Sequence, residues 1–374
     1  MLKVATVCSG IGAPEKALKM LGIPYELSFF SEIDIPAIKA YCAIHKESTN
    51  KNFGNLENIN QKPIPQDLDL LVGGTPCQDF SNAGLGKGGE EGSGTRSSLM
   101  WYYIKLIALS KPKIVVWENV AAVISIKHIH TYRKFCHTLS GLGYRLNSDI
   151  LNAKYFNVPQ NRTRLILVAV RKDLKIDFEY PHGYDSGIRI KDLLEHKVKD
   201  KYYTKTLDDV EPYNRYFSDT FRIMPLGKIK GAIYKQCNEV LCTEGIFDCL
   251  TTKQGNYILD EHSSREKNIR HLTPLEALRF MGFEDKDYYK SRYYYRKNES
   301  TGKKERIVYV SETDIYSQAG NSIVVTVLMA VFGQLYGVEW EHKVFGKRYK
   351  TPFELLCELP MFAVLREDCK NDET

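Results

Sequence analysis

A thiol that follows a predicted buried strand is the clearest chemical signal in this sequence. Cys77 lies in the segment Gly73–Ser81, directly after the apolar run Leu68–Val72, which is typical of a buried strand. Two glycines and a proline end the run, so the chain turns sharply there and can present the thiol. This placement suits a nucleophile. A single cysteine is more often a structural core residue, so the prediction depends on the partners that the chain supplies.

A carboxylate and two guanidinium groups lie beside two other predicted strands. Glu118 follows the apolar residues Ile114–Val116, where burial would favour a protonated carboxyl that donates a proton; a helix cap is the alternative. Arg162 and Arg164 stand two apart beside the strand Leu165–Val170, so both side chains are predicted to point to the same side. Two such groups suit a base oxygen or a phosphate, and a surface ion pair explains them equally well.

A glycine-rich turn near the N-terminus predicts a cofactor site. Gly10, Ile11 and Gly12 follow the first predicted strand and precede a helix, the setting in which glycines let the backbone approach a ligand. At the end of the second strand, Glu32 and Asp34 offer carboxylates of the kind that bind ribose hydroxyl groups. Together these features favour an adenosine-containing cofactor, while a tight turn beside an exposed carboxylate is the alternative.

Length and composition limit the classes of protein that can hold these groups. The 374 residues predict about two domains, and 43% hydrophobic with 26% charged residues is typical of a soluble globular protein. The net charge of +6 permits a polyanionic partner without requiring one. No apolar run reaches the ~20 residues that cross a bilayer. Without a signal peptide, we expect an intracellular protein with reduced cysteines, and the spacing of Cys237, Cys242 and Cys249 does not fit a metal site.

Residues 1–180 alternate strand-like and helix-like segments, which predicts an open, mainly parallel α/β sheet. The predicted strands are Lys3–Cys8, Tyr25–Ser31, Leu68–Val72, Ile114–Glu118, Ser148–Asn152 and Arg164–Val170. The predicted helices are Pro14–Leu21, Ile35–His45, Leu99–Leu109 and Tyr132–Gly141. Ligands of such sheets bind beyond the carboxyl ends of the strands, where Cys77 and Glu118 are expected.

This alternation is lost after Pro181. Residues 183–268 contain short strand-like pieces and no long amphipathic helix, so they predict a second, smaller domain with much loop. Helical periodicity returns at Thr273, a predicted N-cap, and a strongly apolar helix follows at Val324–Leu335. The small domain is therefore predicted to be inserted into the large one, with the chain crossing back near residue 270.

The motifs, taken together and in order, resemble those of the DNA (cytosine-5) methyltransferase family over nearly all of residues 1–337. In chain order they read S-G-I-G, S-E-I-D, G-G-T-P-C-Q-D-F-S, E-N-V, P-Q-N-R-T-R, R-H-L-T-P-L-E-A-L-R-F-M-G-F and A-G-N-S-I. The resemblance implies an α/β fold: a Rossmann-like class I S-adenosylmethionine-dependent methyltransferase sheet with an inserted, smaller target-recognition domain. Residues 1–182 and 269–340 would form the catalytic domain, 183–268 the target-recognition domain and 341–374 a C-terminal extension.

The resemblance also implies roles for single residues. Cys77 would add to carbon 6 of cytosine, Glu118 would protonate ring nitrogen 3, and Arg164, with Arg162, would hold the base oxygen. S-adenosylmethionine would be the methyl donor. Its implied ligands are Gly10, Ile11, Gly12, Glu32, Asn55, Pro76, Leu99, Asn321 and Ser322. Two positions depart from the family pattern: Cys8 replaces an aromatic residue and Asn55 an aspartate, so we expect weaker but intact cofactor binding.

Duplex DNA is the implied partner, from which the target base must be rotated outward. The glycine-rich segment Asp79–Thr95 resembles a lid over that base, and Ser81 within it would contact phosphate. Thr251 and Thr252 would lie near the flipped base. The insert 286–316 interleaves basic and aromatic residues, which suits either a non-specific DNA contact through Lys303, Lys304 and Arg306 or a solvated hairpin.

These expectations describe a monomer in the cytoplasm of a bacterial or phage-infected cell, associated with the nucleoid and not with a membrane. A cognate restriction endonuclease is a candidate second partner. Three other functions stay open: a nucleotide-dependent oxidoreductase, a related enzyme acting on transfer RNA, and an inactive DNA-binding relative. Neither the recognition sequence nor the base that removes the carbon 5 proton can be read from the chain.

Overall fold

The first of two six-stranded sheets contains the six strands that the sequence predicts. The computed structural model describes residues 1–80, 88–213, 223–233, 237–261, 263, 265–297 and 304–346, with only the backbone for 294–297 and 304–306. The strands are β1 (Leu2–Val7), β2 (Tyr25–Ser31), β3 (Leu70–Gly73), β4 (Ile114–Val120), β5 (Tyr144–Asn152) and β6 (Thr163–Arg171). Their order across the sheet is β2-β1-β3-β4-β6-β5.

One strand of this sheet runs against its neighbours. Strands β1 to β4 pair in parallel, whereas β6 pairs antiparallel with both β4 and β5. The reversal puts the start of β6 beside the end of β4, with Arg164 opposite Val120. We call this side of the sheet, where β1, β3 and β4 end and β6 begins, the carboxyl edge. The prediction of a mainly parallel α/β sheet is confirmed, with β6 as the exception.

Helices cover both faces of the sheet. The α-helices of the described residues are α1 (Ala13–Leu21), α2 (Ile35–His45), α3 (Leu99–Ser110), α4 (Ile129–Gly141), α5 (Pro274–Arg279), α6 (Asp285–Arg292), α7 (Glu312–Asn321), α8 (Val325–Tyr336) and α9 (Glu341–Phe345). Along β3, Leu70 and Val72 belong to the core that includes α1 and α8, whereas Leu71 belongs to the core with α3 and α4. Alternate residues of a strand face opposite sides, so a strand covered on both faces is apolar throughout.

A capped helix follows the second sheet at the predicted N-cap Thr273. Thr273 caps α5 together with Glu276, each side chain accepting a backbone N–H of the other residue. The stretch Glu312–Tyr336 has the length and composition to cross a membrane, but 83% of its most apolar part is buried inside the protein. Helices α7 and α8 within it meet at Ser322 and pack as core helices.

A second sheet follows the first one in the chain. Its strands are β7 (Tyr203–Lys205), β8 (Val210–Pro212), β9 (Pro225–Ile229), β10 (Glu239–Leu241), β11 (Tyr257–Leu259) and β12 (Ile269–His271), in the order β7-β12-β11-β10-β9-β8. It buries a small apolar cluster of its own around Val240 and Ile269. Strand β12 pairs with β11 and β7, so this sheet extends beyond residue 268, the predicted end of the small domain.

The predicted insert forms an antiparallel hairpin after α6. Strand β13 (Tyr293–Lys297) pairs with β14 (Lys304–Val308). Residues 341–346 of the predicted C-terminal extension pack on the large domain, where Lys343 Nζ donates to the Leu21 carbonyl at 2.6 Å. The Phe345 ring also stacks on Tyr184, in the predicted small domain, at 4.2 Å between centroids. Three parts of the chain with predicted roles or boundaries lie outside the described residues: Ser81, Lys303 and residues 347–374.

Candidate active site

Cys77 is positioned at the carboxyl edge by contacts between β4 and the loop that carries it. Trp117 Nε1 donates to Thr75 Oγ1 at 2.9 Å, and Asn119 Nδ2 donates to the Thr75 carbonyl at 3.1 Å. Thr75, Trp117 and Asn119 are all buried, so these hydrogen bonds form away from competing water. They fix the start of the Pro76–Cys77 segment relative to β4.

Two glycines allow this loop to lie close to its neighbours. A Cβ atom at Gly73 would lie 2.8 Å from Val7 Cγ2, well inside van der Waals contact. At Gly74 it would lie 3.3 Å from Glu118 Oε2, which is a tight contact. The glycine pair therefore lets β3 end against β1 and lets the Glu118 carboxylate approach the loop of Cys77.

Glu118 and Arg164 form an ion pair beside the same loop. Arg164 Nε lies 3.1 Å from Glu118 Oε1, and the two side chains are 18% and 12% exposed. The antiparallel register of β4 and β6 brings them together from positions far apart in the sequence. The carboxylate predicted to donate a proton is thus held by a guanidinium group, so a bound base must replace part of this ion pair.

The surroundings of Cys77 keep its thiol protonated in the free protein. Burial raises the pKa of the Cys77 thiol above its ordinary value, and the Glu118 carboxylate raises it further. Arg164 and Arg162 act in the opposite direction but do not outweigh these effects. The thiolate, which is the nucleophilic form, is thus a minor species at neutral pH until something reduces the charge of Glu118 or removes the proton.

A second thiol contacts both arginines. Cys249 Sγ lies 3.4 Å from Arg162 Nη1 and 3.7 Å from Arg164 Nη2. The prediction that the two arginines point to the same side is therefore confirmed. Sequence reasoning missed Cys249, because it considered this thiol only as a zinc ligand. The available signal was its place beside Leu250 and Thr251, in the element predicted to approach the base.

Arg162 holds backbone segments rather than facing the site freely. It is 4% exposed, and its Nη1 donates to the Leu250 carbonyl at 3.1 Å. Its Nη2 donates to the carbonyls of Gly320 and Ser322, both at 2.9 Å. The sequence-based expectation was that Arg162 would help Arg164 to hold the base oxygen. In the structure both terminal nitrogens already join the small-domain loop to the end of α7, so Arg162 positions other residues.

Arg162→Met is expected to lower the free energy of unfolding by about 3 kcal/mol or more, because three buried carbonyls lose a charged donor. Urea unfolding of the purified variant measures this. Arg133→Met is the matched control: Arg133 is exposed on α4, and its replacement should change stability by less than about 0.5 kcal/mol. Unchanged stability with lost activity would instead favour direct contact between Arg162 and the substrate.

A cavity opens at the carboxyl ends of β1 and β3, next to the loop of Cys77. It is lined by Thr6, Val7, Cys8, Ser9, Gly10, Ala13, Pro14, Val72, Gly73, Gly74, Asn321, Ser322 and Ile323. Three predicted cofactor residues, Gly10, Asn321 and Ser322, are thus among its walls. Gly10 has a φ of +52°, which a side chain would disfavour. Burial raises the pKa of Cys8 to about 12, so this thiol is an uncharged wall of the cavity.

Glu32 binds the glycine-rich turn directly. Its Oε2 accepts the Gly10 N–H at 2.8 Å, while Oε1 accepts the N–H groups of Ile33 and Asp34. Burial raises the pKa of Glu32, and these three hydrogen bonds act against that rise. Ile33, which sequence reasoning missed, is 67% exposed beside this carboxylate. An exposed apolar side chain next to a polar anchor is suited to the face of a ligand ring.

The remaining predicted cofactor residues are placed less directly. Ile11 is buried, and a Cβ atom at Gly12 would lie 2.2 Å from His45 Nε2, so both serve the packing of the turn. Asn55 Oδ1 accepts the Glu57 N–H at 3.0 Å and caps a short 3₁₀ helix, which leaves one lone pair for a ligand. Pro76 and Leu99 are half-buried and are not among the cavity walls.

The comparison that decides the family is the match of residues 2–337 to the model of the C-5 cytosine-specific DNA methylases. The chain belongs to this family. It is therefore a DNA methyltransferase acting on carbon 5 of cytosine, and the residues gathered at the carboxyl edge lie within the matched region.

Relatives of this methyltransferase come from phages and bacteria. The orphan methyltransferase M.SPRI of Bacillus phage SPR is 29% identical, and the alignment covers 89% of this chain and 97% of the phage protein. The type II methyltransferase M2.ScrFI of Lactococcus lactis subsp. cremoris is 31% identical, with 90% and 99% covered. The chain thus matches these relatives over almost their entire length.

Solved structures support the fold of the methyltransferase. The Entamoeba histolytica methyltransferase EhMeth superposes with a TM-score of 0.63 at 18% identity, covering 90% of this chain and 98% of that protein. The Dnmt2 methyltransferase of S. pombe gives a TM-score of 0.59 at 17% identity, covering 90% and 99%. The predicted Rossmann-like α/β class is confirmed.

The predicted DNA contacts of the small domain lie beside the arginines of the methyltransferase. A Cβ atom at Gly320 would lie 2.2 Å from the Thr251 carbonyl oxygen and 2.5 Å from the Thr252 nitrogen. The loop of Thr251 and Thr252 therefore rests on the end of α7, close to the carbonyl that Arg162 holds. Both threonines remain predicted DNA contacts, as does Ser81 outside the described residues.

The described parts of the predicted lid are residues 79–80 and 88–95, and the second of these packs on α3 and α4. Trp101 Nε1 donates to the Gly89 carbonyl at 2.7 Å, and Glu91 pairs with Lys134 at 2.9 Å. At its start, Asp79 Oδ2 accepts the N–H of Ser97. These contacts hold the second half of the segment against the helices on one face of the sheet.

Proposed function

We propose that this enzyme transfers a methyl group from S-adenosylmethionine to carbon 5 of a cytosine rotated out of duplex DNA, through a covalent bond between Cys77 and carbon 6. The observation that carries the proposal is the placement of one thiol and one carboxylate–guanidinium pair at the carboxyl edge, beside a cavity with glycine walls. Each group has the chemistry that one part of this reaction requires.

The residues divide the reaction on the base between them. The Cys77 thiolate forms a bond to carbon 6, and the ring electron pair moves to carbon 5, which becomes nucleophilic. Glu118 supplies a proton or hydrogen bond at ring nitrogen 3, and Arg164 stabilises the charge that develops toward the base oxygen. After methyl transfer, loss of the carbon 5 proton returns the electrons to the ring and breaks the carbon–sulfur bond.

Binding of the base weakens the effect of Glu118 on the pKa of Cys77. In the free protein Arg164 lies 3.1 Å from the Glu118 carboxylate, and that carboxylate raises the pKa of Cys77. When Arg164 turns to the base oxygen and Glu118 takes up a proton from solvent and shares it with ring nitrogen 3, the negative charge beside the thiol decreases. The thiolate is then easier to form at the moment when its electrophile is in place.

The types of residue that line the cavity suit the methyl donor. S-adenosylmethionine supplies an electrophilic methyl group on a sulfonium centre. The backbone of Gly10 and its neighbours would contact the donor, and Glu32 would bind its ribose. The Ile33 side chain would cover one face of the adenine ring. Asn321 and Ser322 would close the opposite wall, and Asn55 would reach the adenine amine through its free lone pair.

Labelled methyl transfer tests the function. We expect the label from S-adenosylmethionine in duplex DNA, recovered after digestion as 5-methylcytosine, and none in RNA of the same sequence. Sequencing of methylated cytosines in DNA from expressing cells then gives the recognition sequence. Label found only in RNA, or on the exocyclic amine of cytosine, would contradict the proposal.

The setting of the reaction follows from its substrate. Relatives carry both orphan and type II names, so a cognate restriction endonuclease is a partner to be sought rather than assumed. We propose that the enzyme acts as a monomer on intracellular DNA, since one chain supplies every group used above.

A further inference from the structure

A pocket between the two domains carries tyrosines and lysines that the proposed reaction does not use. Six of its residues define what we call the tyrosine–lysine pocket: Lys197, Lys199, Tyr202, Tyr288, Tyr289 and Tyr293. Lys197, Lys199 and Tyr202 come from the segment that enters the second sheet. The other tyrosines come from α6 and the first residue of β13, so the pocket joins both domains.

The carboxylates of the pocket are already paired within the protein. Glu312 Oε1 and Oε2 accept hydrogen bonds from Lys201 at 2.6 and 2.7 Å. Arg292 lies 3.5 Å from the same Glu312 side chain. Glu195, the other acid of the wall, accepts the Thr273 hydroxyl at 2.5 Å. These acids therefore do not make the pocket a cation site.

The two lysines are available for an anion. Lys197 and Lys199 are exposed, and within the described part of the chain neither ammonium pairs with a carboxylate. Tyr289, which lines the same pocket, is 49% exposed. Ammonium groups and tyrosine hydroxyls are among the groups that contact phosphate oxygens in protein–DNA complexes.

The adjoining hairpin adds further positive charge. Strands β13 and β14 carry Arg296, Lys297, Lys304 and Arg306 against one acid, Glu305, a net charge of +3. Strand β13 starts at Tyr293 in the pocket. The basic residues of the hairpin therefore follow the pocket directly in the chain.

The distance between the tyrosine–lysine pocket and the cofactor cavity suits a contact with DNA that flanks the target base. Helix α7 runs from Glu312 at the pocket to Asn321 at the cofactor cavity. Its ten residues span about 15 Å at 1.5 Å per residue. At about 3.4 Å per base pair, that length equals four to five base pairs of duplex.

We propose that the tyrosine–lysine pocket binds the phosphate backbone of duplex DNA that flanks the target cytosine, as a second contact outside the recognition site. The inference rests on the proposed function for its DNA substrate and extends it by a separate surface. Lys197 and Lys199 neutralise phosphates there, Tyr289 donates to a phosphate oxygen, and the hairpin extends the same contact. The pocket contributes affinity and leaves sequence recognition to the protein surface at the carboxyl edge.

The test compares two duplexes with the variant Lys197→Gln/Lys199→Gln. One duplex ends about two base pairs outside the recognition sequence, and the other extends about ten base pairs further on each side. Affinity is measured across a series of salt concentrations. On the long duplex the variant should show a salt slope shallower by about 1.8, since each lost phosphate contact removes about 0.9. On the short duplex the slopes of variant and wild type should agree.

Lys172→Gln/Lys175→Gln is the matched control, because these exposed lysines follow β6 at the opposite edge of the sheet and should leave both slopes unchanged. Equal slopes for wild type and the pocket variant on the long duplex would overturn the inference. An equal decrease of the salt slope on both duplexes would also overturn the inference, because the lysines would then contact DNA within the recognition sequence. Methylation of the short duplex by every variant would leave the proposed function standing in either case.

Discussion

Cys77→Ser is expected to lower methyl transfer by at least about four orders of magnitude while leaving the fold and cofactor affinity intact. A serine hydroxyl is isosteric with the thiol but far less acidic, so it supplies almost no nucleophile at neutral pH. The surrounding hydrogen bonds run through Thr75, Trp117 and Asn119, which the substitution does not touch. Initial rates with duplex DNA and labelled S-adenosylmethionine measure the loss.

A trapped adduct separates loss of the nucleophile from other damage. Cytosine with fluorine in place of hydrogen at carbon 5 cannot release that position as a proton, so the carbon–sulfur bond should persist after methyl transfer. Wild-type enzyme should then form a complex with such DNA that survives denaturation, and the serine variant should form none. A surviving complex with Cys77→Ser would refute the assignment of Cys77.

The pH dependence of kcat/KM for the wild-type enzyme should also reflect the ionisation of Cys77. Because burial and Glu118 raise the pKa of Cys77, the thiolate fraction of the free enzyme increases with pH through the neutral and alkaline range. The value of kcat/KM should therefore rise toward alkaline pH, about tenfold per pH unit where thiolate formation limits the rate. A flat profile from pH 7 to 9 would contradict a rate that depends on the thiolate fraction of the free enzyme.

Much of this site follows from sequence because its parts are local. The turn at Gly73 and Gly74, the thiol of Cys77 and the carboxylate of Glu118 each sit at the end of an apolar strand, and strand ends of one sheet meet at one edge. Glu32 and the glycine turn obey the same rule. The helix cap at Thr273 likewise depends only on neighbouring residues.

The parts that sequence could not supply depend on pairing between distant segments. Arg164 begins its strand, so it reaches the carboxyl edge only because β6 runs antiparallel to β4, a choice that apolar periodicity does not encode. The contact of Cys249 with both arginines spans 85 residues to Arg164. Arg162 was expected to face the base, yet it binds carbonyls of two segments that fold against it from far along the chain.

Glu118→Gln is expected to lower kcat by about 10²- to 10⁴-fold, the range for loss of a positioned proton donor. Glutamine keeps the shape and can still contact Arg164, but it cannot transfer a proton to ring nitrogen 3. Affinity for DNA should therefore change much less than kcat. Single-turnover methylation and DNA binding, measured on the same preparation, separate the two effects. Glu179→Gln is the matched control, since Glu179 is exposed and lies after β6.

The same substitution also tests the coupling between Glu118 and Cys77. Removing the carboxylate charge removes one of the causes that raise the pKa of Cys77, so the alkaline rise in kcat/KM should begin at lower pH in Glu118→Gln than in the wild type. In Glu118→Gln the thiol ionises more easily but the proton donor is missing. We therefore expect a slower reaction whose dependence of kcat/KM on pH is shifted to lower pH. A structural defect would slow the reaction without moving the profile. Wild-type kcat in Glu118→Gln would exclude proton donation by this residue, and an unshifted profile would exclude its electrostatic effect on the thiol.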